Sequence, residues 1–176
     1  TEIAQQGGGI QGTVNATREA SEQTLLSSAI KRAARLVEEG VTCIEVKSGY
    51  GLDLHTELKM LKVAKQISEN LPVSIVTTYL GAHTVPKEYR SNPDDYVQFI
   101  CDQVIPVVAK QRLATCVDVF CESIGFSPAQ CRKIFEAAKA HALNVKAHVE
   151  QLSDLKGAKL AAEFGAISVD HIEYLD

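Results

Sequence analysis

The sequence predicts an α/β protein in which helices alternate with parallel strands. Segments with the 3.6-residue apolar period of a helix alternate with short runs rich in β-branched and apolar residues. The connections between these segments are short, and a strand that follows a crossover helix lies parallel to the strand before it. At 176 residues the chain has the length of one ordinary domain, so a single sheet with covering helices is expected.

The N-terminal part of the chain is predicted to contain a loop, a helix and a strand. Residues 1–16 are polar and rich in glycine, which indicates a loop. Ser21 is a helix N-cap, an apolar face follows it, and Gly40 ends the helix. Residues 41–46 then form the first predicted strand.

Three further helices and two strands are predicted as far as His141. Asp53 caps the second helix, and residues 73–80 form the second strand. Asn92 and Pro93 mark the cap and first turn of the third helix, which Pro106 either breaks or restarts. Residues 116–121 form the third strand, and the fourth helix begins at Ser127-Pro128.

The C-terminal part repeats the same alternation. Residues 144–147 form the fourth strand, with His148 where the apolar run stops. Ser153 is expected to cap a short helix that Gly165 closes, and residues 167–169 form the fifth strand. Two folds suit this order: a five-stranded doubly wound sheet of the flavodoxin type, or part of an eight-stranded barrel. Periodicity does not choose between them.

Composition excludes several classes of partner. The net charge of -4 gives no basic surface for nucleic acid, and no apolar run approaches the ~20 residues of a membrane-spanning helix. No N-terminal signal peptide is visible. The five cysteines, an odd number without C-x-x-C spacing, indicate neither a disulfide framework nor a structural zinc site, and they are typical of a reducing cytoplasm.

Groups capable of chemistry follow each predicted strand. They are Tyr50, His83, Glu122, His148 and His171, in strand order. In a parallel α/β sheet the carboxyl ends of the strands border the crevice in which ligands bind. Three of the five histidines of the chain lie at these positions, which is typical of a catalytic rim.

Each of these residues also has a structural interpretation. A single histidine can be a packed side chain bonded to a backbone carbonyl, and Tyr50 can simply cover the sheet edge. Glu122 can form a buried ion pair with Lys47 or Lys146, and Glu150 is expected at the surface or behind a ligand. His148 is a candidate metal ligand, but a catalytic zinc needs three, and the chain has no H-x-H or H-E-x-x-H motif.

Five stretches together resemble the imidazolonepropionase family of the metal-dependent amidohydrolases. The resemblance runs through essentially the whole chain, in order and at matching separations. The stretches are Glu45-Val46-Lys47-Ser48-Gly49-Tyr50-Gly51-Leu52, Tyr79-Leu80-Gly81-Ala82-His83, Val117-Asp118-Val119-Phe120-Cys121-Glu122, Lys146-Ala147-His148 with Glu150-Gln151-Leu152-Ser153, and Asp170-His171-Ile172-Glu173-Tyr174.

The resemblance implies a (β/α)8 barrel that hydrolyses 4-imidazolone-5-propanoate to N-formimidoyl-L-glutamate in histidine degradation. It implies one zinc or iron ion, for which His148 is a ligand. His171 then helps to activate the water, and Asp170 is a candidate to orient His171. Gln151 contacts the ring of the substrate, and Tyr50 and His83 contact the substrate as well.

The chain also departs from the family pattern. The H-x-H pair of the first barrel strand, an arginine near it and the aspartate of the eighth strand are absent, so residues 1–176 correspond to strands two to six of one catalytic barrel domain. The sequence is therefore expected to be a fragment that is inactive alone. The resemblance further implies a cytoplasmic homodimer as the full-length enzyme, acting on a small-molecule substrate.

Two alternatives remain open. One is another amidohydrolase acting on a cyclic amide or amidine, such as a cytosine-deaminase-like enzyme. The other is a non-catalytic α/β module whose histidines are structural.

Overall fold

The computed structural model describes residues 9–175. Among these, residues up to Thr77 form one compact unit and residues from Thr78 onward form a second. The predicted loop over residues 1–16 lies partly outside the described residues.

The first unit contains three helices, one complete strand and the start of a second strand. The elements are α1 (Ile10–Glu19), α2 (Glu22–Glu38), β1 (Cys43–Lys47), α3 (Leu54–Asn70) and the first residues of β2 (Ser74–Ala82). The backbone N–H of Ser74 donates to Thr42 O at 2.9 Å, which places the start of β2 beside the start of β1. A buried cluster of Ala33, Ile67 and Val73 joins α2 and α3 to these strands.

Helix α1 shows that the loop prediction is wrong from Ile10 onward. Its apolar residues are too few to give a helical pattern, but Val14 is 1% exposed and packs inside the unit. Lys59 of α3 donates to the carbonyls of Thr17, Arg18 and Ala20 at 3.0, 3.2 and 2.7 Å. These carbonyls lie at the C-terminal end of α1, where a helix lacks internal donors. A distant lysine therefore completes α1.

The predicted caps of the next two helices are confirmed. Ser21 Oγ accepts from Thr24 N at 3.1 Å at the start of α2, and Asp53 Oδ1 accepts from Thr56 N at 2.7 Å at the start of α3. Each bond satisfies an N–H group that has no partner within the helix.

The second unit continues the alternation of strands and helices. After β2 come a 3₁₀ turn (Lys87–Tyr89), α4 (Pro93–Phe99), a π-helical turn (Ile100–Val104), α5 (Ile105–Lys110), β3 (Cys116–Cys121), α6 (Pro128–Ala140), β4 (Asn144–Val149), α7 (Gly157–Glu163) and β5 (Ser168–His171). Pro106 lies at the start of α5, so it restarts the helix. Asn92 precedes α4, but its side chain makes no capping hydrogen bond.

Strand pairing within the second unit decides between the two predicted folds. β2 pairs with β3, β3 with β4, and β4 with β5, all in parallel. In the flavodoxin order 2-1-3-4-5 the second and third strands are not neighbours, so the direct β2–β3 pairing excludes it. Strands that follow one another in sequence order are the pattern of a (β/α)8 barrel. The fold is α/β with five parallel strands, consistent with part of a TIM-type barrel.

The two faces of the β3–β5 sheet differ in character. One face carries fully buried apolar side chains, each at most 1% exposed: Val117, Val119, Val145, Ala147 and Val149. The register brings polar residues together on the opposite face: Asp118 with Lys146 and Ser168, and His148 with Asp170. Since side chains alternate between faces, the buried apolar positions oblige the polar ones to share one side.

The start of α7 corrects the predicted cap at Ser153. The helix begins at Gly157, and the carboxylate of Glu150 accepts from Gly157 N and Ala158 N at 2.5 and 2.9 Å. Ser153 Oγ instead donates to Glu122 Oε2 at 2.5 Å. Serine was expected to bond locally, but a buried carboxylate of a neighbouring strand provides a charged acceptor and therefore a stronger bond.

Replacing Gly157 with alanine is expected to destabilise the protein by about 1–3 kcal/mol, because the added Cβ overpacks a filled site. That atom would lie 2.8 Å from Val149 Cγ1 and 3.1 Å from Cys121 Sγ. Urea unfolding measures the effect, and Lys159→Ala, at an exposed position of the same helix, is the control. Equal stability of Gly157→Ala and the wild type would contradict this packing.

Candidate active site

His148 lies between two carboxylates on the polar face of the sheet. His148 was predicted to follow the strand. Strand β4 extends to Val149, so His148 instead lies within it. Its Nδ1 is 3.1 Å from Asp118 Oδ1, and its Nε2 is 3.5 Å from Asp170 Oδ2. Asp118 is fully buried, whereas the side chain of His148 is 22% exposed. One edge of the imidazole is therefore held inside the sheet and the other is accessible.

The contact with Asp118 defines which nitrogen of His148 can bind a ligand. An N–H at Nδ1 that donates to a carboxylate leaves the lone pair of a neutral imidazole on Nε2. One ligand atom each from Asp118, His148 and Asp170 lie within 4.8 Å of one another. Such a mixed nitrogen and oxygen set is suited to a divalent cation.

Asp118 was not among the predicted site residues. The signal was an aspartate in the middle of the apolar run 116–121, where a charge is buried only if it has partners. Its partner lies on another strand, and the sequence does not show the register between them.

His171 lies beside His148 at the end of β5. The two ring centroids are 5.6 Å apart. His171 and Ile172 have φ angles of 79° and 64°, so the backbone leaves its extended form where the histidine is presented. Asp170 lies against His148 and not His171, and the carboxylate beside His171 Nδ1 is that of Glu173, at 3.3 Å.

Glu122 holds the segment that carries Gln151. Its Oε1 accepts from the backbone N–H groups of Gln151 and Leu152 at 2.6 and 3.0 Å. Together with the bond from Ser153, these contacts supply the partners of the buried carboxylate. Burial acts to raise the pKa of Glu122, but the hydrogen bonds outweigh it, and the pKa lies below its ordinary value.

Glu150 was expected at the surface or behind a ligand, and the structure shows that it is not at the surface. It is 0% exposed, and its φ of 48° turns the chain out of β4. Its carboxylate accepts from the first N–H groups of α7, so Glu150 connects the end of β4 to the start of that helix.

The lowered pKa of Glu122 predicts an acid-sensitive contribution to stability. A depressed pKa in the folded state means that the ionised group stabilises the fold above the unfolded pKa, near 4.5, and loses this effect as the pH falls through the folded value. The stability advantage of the wild type over Glu122→Gln should therefore shrink as urea unfolding is repeated from pH 7 down to about pH 3. Glu136→Gln, at an exposed position, is the control; a pH-independent difference for Glu122→Gln would contradict the assignment.

Tyr50 and His83 lie in different units. Tyr50 is 37% exposed and lines a cavity of about 450 Å³ in the first unit, together with Val46, Lys47 and other residues of that unit. His83 is half-buried in the turn directly after β2.

A buried glutamate also holds the loop of Tyr50. Glu57 is 1% exposed, and its Oε1 accepts from Gly51 N and Leu52 N at 2.8 and 2.9 Å. Here burial dominates and raises the pKa of Glu57.

The sequence has close relatives among curated proteins. Over 174 residues, 99% of the chain, it is 69% identical to the imidazolonepropionase of Pseudoalteromonas atlantica. The chain is homologous to imidazolonepropionases. It is also 63% identical to the imidazolonepropionase of Alteromonas mediterranea and 56% identical to that of Ectopseudomonas mendocina, again over 99% of its length.

These relationships confirm the predicted resemblance. The chain spans 42–43% of the length of the three imidazolonepropionases. No protein-family model matches it. None of the helices between residues 9 and 175 combines the length and apolar character that a membrane crossing requires.

Proposed function

We propose that the protein containing this chain is a metal-dependent hydrolase that opens the cyclic amide 4-imidazolone-5-propanoate to N-formimidoyl-L-glutamate in histidine degradation. The observation that carries the proposal is the 56–69% identity to imidazolonepropionases across 99% of the chain. The grouping of His148 with Asp118 and Asp170 supports it, as does the ring of His171, which lies 5.6 Å from that of His148.

His148 is the proposed metal ligand of this chain, through Nε2. The donor chemistry fits, because Asp118 occupies the Nδ1 side and the accessible Nε2 faces a second carboxylate. A bound zinc or iron ion lowers the pKa of its water towards ~7 and so supplies hydroxide near neutral pH. We propose that the remaining ligands lie in segments of the complete enzyme that correspond to the part of the relatives which this chain does not span. We also propose that the 176 residues alone are inactive.

His171 is the proposed proton carrier. An imidazole can accept a proton and return it to a leaving nitrogen near neutral pH, because its ordinary pKa is about 6.5. Its ring lies 5.6 Å from that of His148, close enough to act on a group held beside the metal ligand. The carboxylate of Glu173, 3.3 Å from Nδ1, favours the N–H at that nitrogen and leaves Nε2 to exchange the proton.

Gln151, Tyr50 and His83 are the proposed substrate contacts, with Gln151 also assisting catalysis at the ring. An amide can donate to a ring carbonyl and accept from a ring N–H, so Gln151 matches both sides of a cyclic amide. Tyr50 and His83 can donate to the ring or to the propanoate group. We propose that both units belong to one catalytic domain of the complete enzyme.

A test begins with the protein at its natural length. Intact mass and elemental analysis on one sample should give a mass well above the 19.1 kDa of this chain and about one zinc or iron per polypeptide. The same sample should hydrolyse 4-imidazolone-5-propanoate, followed by loss of the imidazolone absorbance. Activity of the isolated 176 residues would contradict the proposed inactivity of this part.

The same assay separates the alternatives. Preference for cytosine or another cyclic amidine in a substrate panel would favour the other amidohydrolase. Inertness after zinc or iron is restored would favour a non-catalytic α/β module. We also propose that the enzyme is a cytoplasmic homodimer, which light scattering on the purified protein and fractionation of the source cells test directly.

A further inference from the structure

Three donors on consecutive residues converge on the carboxylate of Glu122. The N–H groups of Gln151 and Leu152 reach Oε1 at 2.6 and 3.0 Å, and the hydroxyl of Ser153 reaches Oε2 at 2.5 Å. Glu122 is 1% exposed and follows β3 directly. The backbone of the segment after β4 is thus held in a fixed position relative to the end of β3.

Hydrogen bonds hold the backbone of this segment at both ends. Leu152 is 51% exposed, so its side chain gives the segment little apolar anchorage. At the far end the Glu150 carboxylate holds Gly157 and Ala158. Glu122 accepts from the N–H of Gln151 itself, while Glu150 O, on the other side of the same peptide, accepts from Tyr174 N at 2.9 Å.

The first unit contains the same arrangement independently. One oxygen of the buried Glu57 accepts from two consecutive N–H groups, those of Gly51 and Leu52, directly after Tyr50. A buried carboxylate is costly unless it is well hydrogen-bonded, and an apolar side chain of similar volume often serves stability as well. Buried carboxylates beside both Tyr50 and Gln151, two proposed substrate contacts, indicate that these carboxylates fix the position of the backbone there.

We propose that Glu122 is a positioning residue that holds the backbone of Gln151, and through it the Gln151 side chain, in place for contact with the substrate. This inference rests on the proposed function. Glu122 acts only through Gln151 and does not itself touch the reacting atoms.

Amide hydrogen exchange on the whole protein tests the geometric part without any need for activity. Glu122→Ala should accelerate exchange at Gln151 and Leu152 by about 10-fold or more, since a hydrogen bond to a charged group is lost. Amides within β4 should keep their protection. Glu122→Gln, whose amide oxygen can still accept both N–H groups, should retain most of the protection at Gln151. Unchanged exchange at Gln151 in Glu122→Ala would overturn the proposal.

A double-mutant cycle tests the functional part. Glu122→Ala is expected to lower kcat/KM by about 10- to 100-fold, the loss typical of a misplaced contact group, and Glu122→Gln should recover most of it. In a Gln151→Ala background, Glu122→Ala should change kcat/KM no further, because both changes act through one side chain. Should Glu122→Ala fail to fold, Ser153→Ala and Glu122→Gln serve in the same cycle with smaller expected losses.

The matched control is Ile134→Val, which disturbs a buried residue of a different element, α6. Its effect on kcat/KM should be small and the same in both backgrounds. Additive effects of Glu122→Ala and Gln151→Ala would overturn the positioning role. An inactive wild type would instead contradict the proposed function, while the exchange experiment would still decide the geometry.

Discussion

Replacement of His148 by alanine is expected to remove the bound metal and to lower kcat by at least about 10³-fold, because the proposed hydroxide nucleophile depends on the metal. His148 contributes the nitrogen ligand to the group of Asp118, His148 and Asp170, whose other two members are carboxylates. Elemental analysis and steady-state kinetics on the same preparations of the natural-length protein measure the two effects together.

A companion change at Asp118 tests why His148 is oriented as it is. Asp118→Asn removes the charged acceptor at Nδ1 and is expected to weaken metal affinity by about 10- to 100-fold, the range found for such supporting carboxylates. His55→Ala, at an exposed position of α3, is the control and should leave metal content and kcat unchanged. Full metal content in His148→Ala would refute its assignment as a ligand.

Replacement of His171 by glutamine is expected to lower kcat by about 10²- to 10⁴-fold while the metal content stays near that of the wild type. The amide of glutamine can form hydrogen bonds but cannot carry a proton near neutral pH, so only the transfer step is lost. The 5.6 Å separation of the His171 and His148 rings places the change beside the proposed metal ligand without removing it.

The same substitution at His141 tests whether the effect is specific to His171. His141→Gln at the C-terminal end of α6 makes the same chemical change at an exposed position and should retain full activity. Loss of the metal in His171→Gln would mean that His171 supports the metal site, and an unchanged kcat would exclude it as the proton carrier.

Most of the elements could be predicted from local sequence signals. The caps at Ser21 and Asp53 and the restart at Pro106 depend on residues a few positions away, so the sequence displays both partners. Helix α1 was missed because part of its stability comes from Lys59, about 40 positions away, which binds the carbonyls at its end.

The candidate site was also predicted only in part. Sequence placed His148 and His171 at the ends of neighbouring strands, which the alternation of elements alone can indicate. It assigned Ser153 to a helix cap and placed Glu150 at the surface or behind a ligand, because serine commonly caps helices and glutamate is rarely buried. In the structure Ser153 donates to Glu122, and Glu150 is buried at the start of α7.

The sequence by itself determined the alternation of helices and strands, the strand ends that carry chemistry and the resemblance to imidazolonepropionases. These depend on periodicity and motifs, which are properties of neighbouring residues. Only the tertiary structure decided the sequential strand order, the carboxylates on either side of His148 and the role of Glu122. Those depend on strand register: a shift of one residue moves a side chain to the opposite face, and no local pattern reports that shift.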